Sequence, residues 1–172
     1  MDSPLDSTIQ YKTFFINELI PWIKKNYRTN QMGITGLSMG GHGAFYLAIR
    51  HPELFDAVSG MSSGVDLTFS TVKWELAKIL GPFELYPNRW YDHSVVNMVN
   101  LIQDGFMPIL IDCGYDDFFI DINRTLHNRL IEKNVPHTYI EKPGGHSWVY
   151  WIKSLDEHLR FFENAFNGSN IN

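Results

Sequence analysis

Short strand-like runs alternate with helix-like stripes along this chain, and that alternation restricts the folds open to it. Residues 32–37, 57–61, 107–113 and 138–141 read as strands. The third is a short apolar run of the kind buried on both faces of a sheet. Helical spacing fills the intervals. Ile16, Ile20, Ile23 and Tyr27 share one face, with Pro21 set to kink it, and a second helix ends before Pro52. Phe119, Ile122, Leu126 and Leu130 form another stripe. Trp151, Leu155, Leu159, Phe162 and Phe166 form the clearest one, with Gly168 suited to stop it before a polar tail, Asn167 to Asn172. Strands joined through helices predict an α/β fold, a mainly parallel sheet with helices on both faces.

One crossover is interrupted. Residues 62–104 hold Trp74, Tyr86, Trp90 and Tyr91 with Pro82 and Pro87, and a single helix is predicted near Thr71 to Leu80. This stretch reads as a lid or cap insertion within one domain spanning 1–172. Its rings either shape an acyl or aryl pocket or simply pack.

Composition narrows the function classes. Hydrophobic residues make up 44% and charged residues 19%, the balance of a globular chain. The net charge of -5 is not clustered, and the tightest basic group is Lys24, Lys25 and Arg28, which argues against a nucleic-acid partner. No apolar run approaches the roughly 18–20 residues of a membrane span. Cys113 is the sole cysteine, so no internal disulfide or cysteine-based metal site is available. At the end of a buried strand it reads as an inert thiol rather than a nucleophile. The start, Met1-Asp2-Ser3-Pro4, lacks the basic and apolar regions of a signal peptide. That leaves the chain cytoplasmic as it stands, and secreted or periplasmic if upstream sequence supplies a signal. Asn123-Arg124-Thr125 and Asn167-Gly168-Ser169 match glycosylation triplets, which recur by chance.

Gly36-Leu37-Ser38-Met39-Gly40 matches the G-x-S-x-G nucleophile elbow. The serine must sit on a sharp strand-to-helix turn so that its hydroxyl projects from the sheet, and the flanking glycines are expected to remove side chains that would collide there. The following helix points its free amides at the site, so the Met39 backbone N–H is the expected oxyanion donor. The pattern is short, but a strand precedes it, a helix follows, and Gly41 and Gly43 allow close helix-to-sheet packing.

A hydroxyl nucleophile needs an imidazole base and a carboxylate to hold the base's tautomer. His146 follows the last strand in a tight loop, Gly144-Gly145-His146-Ser147-Trp148, ahead of the final helix. His42 lies one helical turn past Ser38 and reads as a packing or capping residue. His51, His127, His137 and His158 take structural readings from their places in helices or a strand, while His93 lies in the irregular segment that could line a pocket. For the acid, Asp112 is nearly within the third strand, and Asp116 and Asp117 both lie just past its end. Position alone does not separate those two.

Together these motifs resemble the esterase D family of α/β-hydrolases, which includes S-formylglutathione hydrolases, feruloyl and acetyl-xylan esterases, small tributyrin-type esterases and mycolyltransferases. The resemblance rests on Glu18-Leu19-Ile20-Pro21 with Tyr27, on the stretch from Gly36 to Ala44, on Asp112 to Asp117, and on Gly145-His146-Ser147-Trp148. It implies a Ser38, His146 and Asp117 triad, preferring Asp117 over Asp116, and a serine carboxylic-ester hydrolase that needs no metal or cofactor. It implies a small-molecule or carbohydrate-linked ester as substrate, with thioester hydrolysis or acyl transfer to a sugar hydroxyl as alternatives. Members of that family have several strands before the elbow, and a loop near the third of them supplies a second oxyanion amide, whereas only 37 residues precede Ser38 here. The expectation is an N-terminally incomplete hydrolase whose nucleophile strand lies at a sheet edge, open to pairing with another copy. A non-catalytic fragment that binds or assembles is the reading from a different class.

Overall fold

The computed structural model describes residues 1–28 and 30–168. Its centre is one sheet of four strands, β1 (Gly33–Leu37), β2 (Ala57–Met61), β3 (Ile109–Gly114) and β4 (Thr138–Lys142), all parallel and ordered as they occur in the chain. β1 therefore has a strand neighbour on one side only, with Gly33 to Leu37 aligned on Ala57 to Met61.

The first helix is built in pieces: α1 (Tyr11–Phe14), a π turn (Phe15–Leu19) and α2 (Ile20–Asn26). The cause is Pro21, which lacks the N–H for an i−4 bond and whose ring crowds that carbonyl. The wide turn lies directly ahead of it, as expected where a helix must absorb a proline. Tyr27, expected on the buried face, instead lies past the helix end in extended backbone and is exposed.

Beyond β1 come α3 (Met39–Arg50), then β2, and a long connection carrying α4 (Leu76–Leu80), α5 (Pro87–His93) and α6 (Val95–Met98). The single helix expected near 71–80 is thus shorter, and two more follow. Trp74 and Glu75 both take left-handed backbone, with φ of 58° and 55°, which prevents a helix from starting earlier. Pro87 opens α5 at a helical first turn, where its missing N–H costs nothing. Leu67, Leu76, Leu80 and Trp90 form a small core of their own within this connection.

The strands alternate their side chains between two layers. Val58, Ile109 and Ile111 meet α3, α6 and α7 (Ile120–Glu132) in the main core. The opposite face meets α8 (Trp148–Gly168). The apolar stripe that marks α8 in the sequence is buried only in part: Trp151 is buried and Phe162 and Phe166 are half-buried. Leu155 and Leu159 are exposed, while Tyr150, Trp151, Ser154 and His158 turn inward. The reason is polar matching: His158 Nδ1 lies 2.8 Å from Ser59 Oγ, and Tyr150 donates its hydroxyl to the buried Asp112. The polar tail begins inside the last turn of α8, and its residues 169–172, including Ser169 of the second glycosylation triplet, lie outside the described residues. No helix among the described residues is long and apolar enough to cross a membrane.

Candidate active site

Ser38 stands between β1 and α3 with φ of 54° and ψ of −119°, a backbone region that a residue with a side chain rarely enters. Neighbouring backbone holds it there. The Ser38 N–H donates to Met61 O at 2.9 Å, and Ser38 O accepts from Gly64 N–H at 3.0 Å. The turn closes because Gly36 has no side chain: a Cβ there would lie 2.3 Å from the Gly40 carbonyl carbon and oxygen. Gly40 itself differs from expectation, since a Cβ on it would meet nothing within 4 Å. Only the first glycine of the pair is sterically required, because it faces the backbone of the second. The opening amides of α3, beginning with Met39, have no intrahelical acceptor and lie beside the serine.

Asp117 and His146 come from the loops after β3 and β4, which are bonded to each other. Tyr115 N–H donates to Lys142 O at 3.0 Å, and Asp116 N–H donates to Gly144 O at 2.9 Å. Gly144 has φ of +139°, and a Cβ on Gly114 would fall 2.0 Å from the Gly144 oxygen. Both loops thus approach at a distance that only glycine tolerates.

This approach sets His146 between Ser38 and Asp117. His146 Nε2 is 2.9 Å from Ser38 Oγ, and Nδ1 is 2.9 Å and 3.1 Å from the two Asp117 oxygens. Asp117 is buried, and Phe119 N–H donates to its Oδ1 at 2.8 Å. Asp116, one residue away, is exposed. An ionised carboxylate only accepts, so the Nδ1 proton points at Asp117 and Nε2 keeps a lone pair for the serine hydroxyl. Such an arrangement can take the hydroxyl proton as oxygen attacks a carbonyl.

Aromatic rings enclose the imidazole. Phe118 lies 4.4 Å from it, Trp151 4.9 Å and Phe119 5.3 Å between centroids. Sequence reading took Phe119 and Trp151 only as helix-stripe residues and passed over Phe118, whose signal was its adjacency to Asp117. Also missed was the buried cluster behind the base loop, where Asp112 accepts from Tyr150 and lies 3.4 Å from His158 Nε2. Burial opposes ionisation of Asp112, but the bonds from His158 and Tyr150 outweigh it and hold the carboxyl below its ordinary range.

The remaining candidates lie elsewhere. His42 is buried, with Nε2 2.8 Å from His93 O, and burial lowers its pKa to about 4. His93 stacks on Tyr46, and His127 on α7 lies 2.7 Å from His137 and stacks on Tyr139. Cys113 is buried, and burial together with Asp117 and Asp112 pushes its thiol far above the usual range, so it is no rival nucleophile. No group of three or more His, Cys, Asp or Glu among the described residues could hold a metal ion.

Residues 5–162 match the family model named Esterase. The chain belongs to the esterase family. Among its relatives, S-formylglutathione hydrolase of Mus musculus is 26% identical over 96% of this chain, and acetyl esterase of Caldicellulosiruptor saccharolyticus is 24% identical over 83%. The chain spans 61% and 59% of those two proteins. A solved ferulic acid esterase superposes with a TM-score of 0.79 at 29% identity, over 96% of this chain and 64% of the other. S-formylglutathione hydrolase from Agrobacterium tumefaciens does so with 0.76 at 25%, over 94% and 60%. The fold of this family member is accordingly that of the α/β-hydrolase esterases, represented by four parallel strands and their helices.

Proposed function

We propose that this chain is a serine carboxylic-ester hydrolase that works through an acyl-enzyme. The observation that carries the reading is the unbroken line of contacts from Ser38 Oγ through both ring nitrogens of His146 to Asp117. Ser38 oxygen attacks the ester carbonyl as His146 Nε2 takes the hydroxyl proton, with Asp117 stabilising the imidazolium. The Met39 N–H, at the amide end of α3, meets the charge that develops on the carbonyl oxygen. Collapse expels the alcohol, which takes the proton from Nε2. Water, deprotonated by the same nitrogen, then releases the acid and restores Ser38. These steps draw on protein groups and water alone.

The substrate in this reading is a small-molecule or carbohydrate-linked ester. Relatives named S-formylglutathione hydrolase favour a thioester as the second reading. Phe69 and Trp74 of the β2-to-β3 connection reach the rings beside His146, which supports reading residues 62–104 as a cap over the site. A homo-oligomer would form by β1 pairing along its open edge.

Fluorophosphonate labelling tests the nucleophile, and parallel turnover of p-nitrophenyl acetate and S-formylglutathione tests the substrate class. Modification of Ser38, with Ser38→Ala losing roughly 10⁴-fold or more of turnover, is expected. A folded protein that neither labels nor turns over either substrate overturns the catalytic reading in favour of a binding fragment.

A further inference from the structure

Behind the base loop lies a buried carboxylate that the acyl-transfer steps do not use. Asp112 is fully enclosed near the end of β3, upstream of Asp117 in the same segment. One oxygen accepts from the Tyr150 hydroxyl, while His158 Nε2 lies 3.4 Å and Lys142 Nζ 3.8 Å from the other. Well-packed apolar side chains in place of such a buried charged group are often at least as stable. Stability alone therefore explains this carboxylate poorly.

Tyr150 connects Asp112 to the base. Its ring wedges against the crossing of the two loops: a Cβ on Gly144 would fall 2.5 Å from Tyr150 Cδ2, and one on Gly114 would fall 3.2 Å from its Cε2. The Lys142 ammonium sits over the same ring, 5.4 Å from its centroid. Tyr150 and Trp151 share the first turn of α8, and Trp151 meets the His146 imidazole edge-on at 4.9 Å. That turn closes onto the loop of the base, with Trp151 N–H donating to Ser147 O at 3.1 Å. His146 thus precedes a helix turn that one hydroxyl anchors to the sheet.

The anchor also reaches the nucleophile. Asp112 is aligned on Met61 across the sheet, and Met61 O accepts the Ser38 N–H at 2.9 Å. Contacts run in a closed ring from Ser38 through Met61, Asp112, Tyr150 and the first turn of α8 to His146, whose Nε2 returns to Ser38 Oγ at 2.9 Å.

We propose that the Tyr150 hydroxyl and Asp112 form a clamp that sets the position of His146 against Ser38. Both are positioning residues: neither touches the reacting atoms, and each acts through the helix turn behind the base. The inference rests on the esterase reading of Ser38, His146 and Asp117, and adds to it a control on the rate of the chemical step. A reacting group displaced by about 1 Å costs up to about 10²-fold in rate, so loosening the clamp should lower kcat and leave ester binding unchanged.

Tyr150→Phe tests this, because it keeps the ring wedge and removes only the hydroxyl. With p-nitrophenyl acetate its kcat is expected to fall about tenfold with KM within about twofold, and fluorophosphonate labelling of Ser38 to slow by a similar factor. Leu130→Ala, in the main core on α7, is the control for lost stability: it should lower Tm and leave kcat unchanged. A folded Tyr150→Phe protein whose kcat falls less than about threefold, or no more than that of Leu130→Ala, overturns the clamp, as does a change confined to KM. Should Tyr150→Phe not fold, Lys142→Met is read in its place. It withdraws the ammonium from both Tyr150 and Asp112, and a kcat equal to the parent's overturns the clamp. Absence of both labelling and turnover in the parent speaks against the esterase reading instead. The clamp is then judged by NMR of histidine-labelled protein, where a His146 ring signal that Tyr150→Phe moves no more than Leu130→Ala does overturns it.

Discussion

Replacing Asp117 by asparagine tests the orienting role proposed for its carboxylate, and the structure dictates how the new amide would lie. Asp117 Oδ1 accepts from Phe119 N–H at 2.8 Å, so the amide oxygen must take that position. The amide nitrogen then falls where Oδ2 stood, 2.9 Å from His146 Nδ1. A donor facing Nδ1 forces the ring proton onto Nε2, which now donates to Ser38 Oγ instead of accepting from it. The proposed base is then present, correctly placed and in the wrong tautomer. Loss of an orienting carboxylate in this manner costs about 10⁴-fold in kcat. At 1.4 kcal/mol per factor of ten, that is roughly 5–6 kcal/mol of transition-state stabilisation. The assay is steady-state and burst kinetics on p-nitrophenyl acetate, with circular dichroism to confirm folding. Asp116→Asn is the control, since that side chain is exposed and contributes only backbone to the loop contact. Asp117→Asn protein within tenfold of the parent, or an equal loss in Asp116→Asn, would refute the assignment.

Three more expectations concern stability. His42 is fully enclosed and its pKa is lowered to about 4, so the unfolded chain, near 6.5, takes up a proton that the folded chain refuses. Stability should therefore fall as pH drops from about 6.5 to 4, by at most about 3 kcal/mol; urea midpoints for parent and His42→Asn would read this share, and identical slopes would count against it. Gly36→Ala should lower Tm by roughly 5–10 °C, since its Cβ meets backbone at 2.3 Å, whereas Gly43→Ala, whose Cβ meets nothing within 4 Å, should raise stability by about 0.5–1 kcal/mol. Thermal melts showing the two changes alike would contradict the packing. Tyr150→Phe removes a donor from buried Asp112 and should cost about 1–3 kcal/mol, read as a lower urea midpoint; an unchanged midpoint would mean that another donor replaces it.

The alternation of strand and helix periods, the strand-to-helix turn at Ser38 and the chain order of serine, acid and base were all legible in the residue string. Each depends on near neighbours: a two-residue or 3.6-residue period, a glycine at a fixed offset, a loop after a strand. Local sequence could not choose between Asp116 and Asp117 by position, because both are equally near the end of β3. The choice comes from the β3 and β4 loops, whose contact at Gly114 and Gly144 turns Asp117 inward toward His146 and leaves Asp116 outside.

The buried face of α8 was legible only in part, since Trp151 of its stripe is buried while Leu155 and Leu159 are exposed. Its apolar stripe pointed to Leu155 and Leu159, but Asp112 and Ser59 on the sheet require polar partners, and His158 and Tyr150 supply them. Pairing of that kind joins residues up to 99 positions apart and leaves no trace in periodicity. Sequence alone thus determined the four strands and the principal helices, and which side chains have the chemistry to react. Tertiary structure decided which carboxylate meets the imidazole, which face of the last helix is buried, and which rings stand beside the site. Those outcomes depend on distances between segments remote in the chain, set only when the sheet and its loops close.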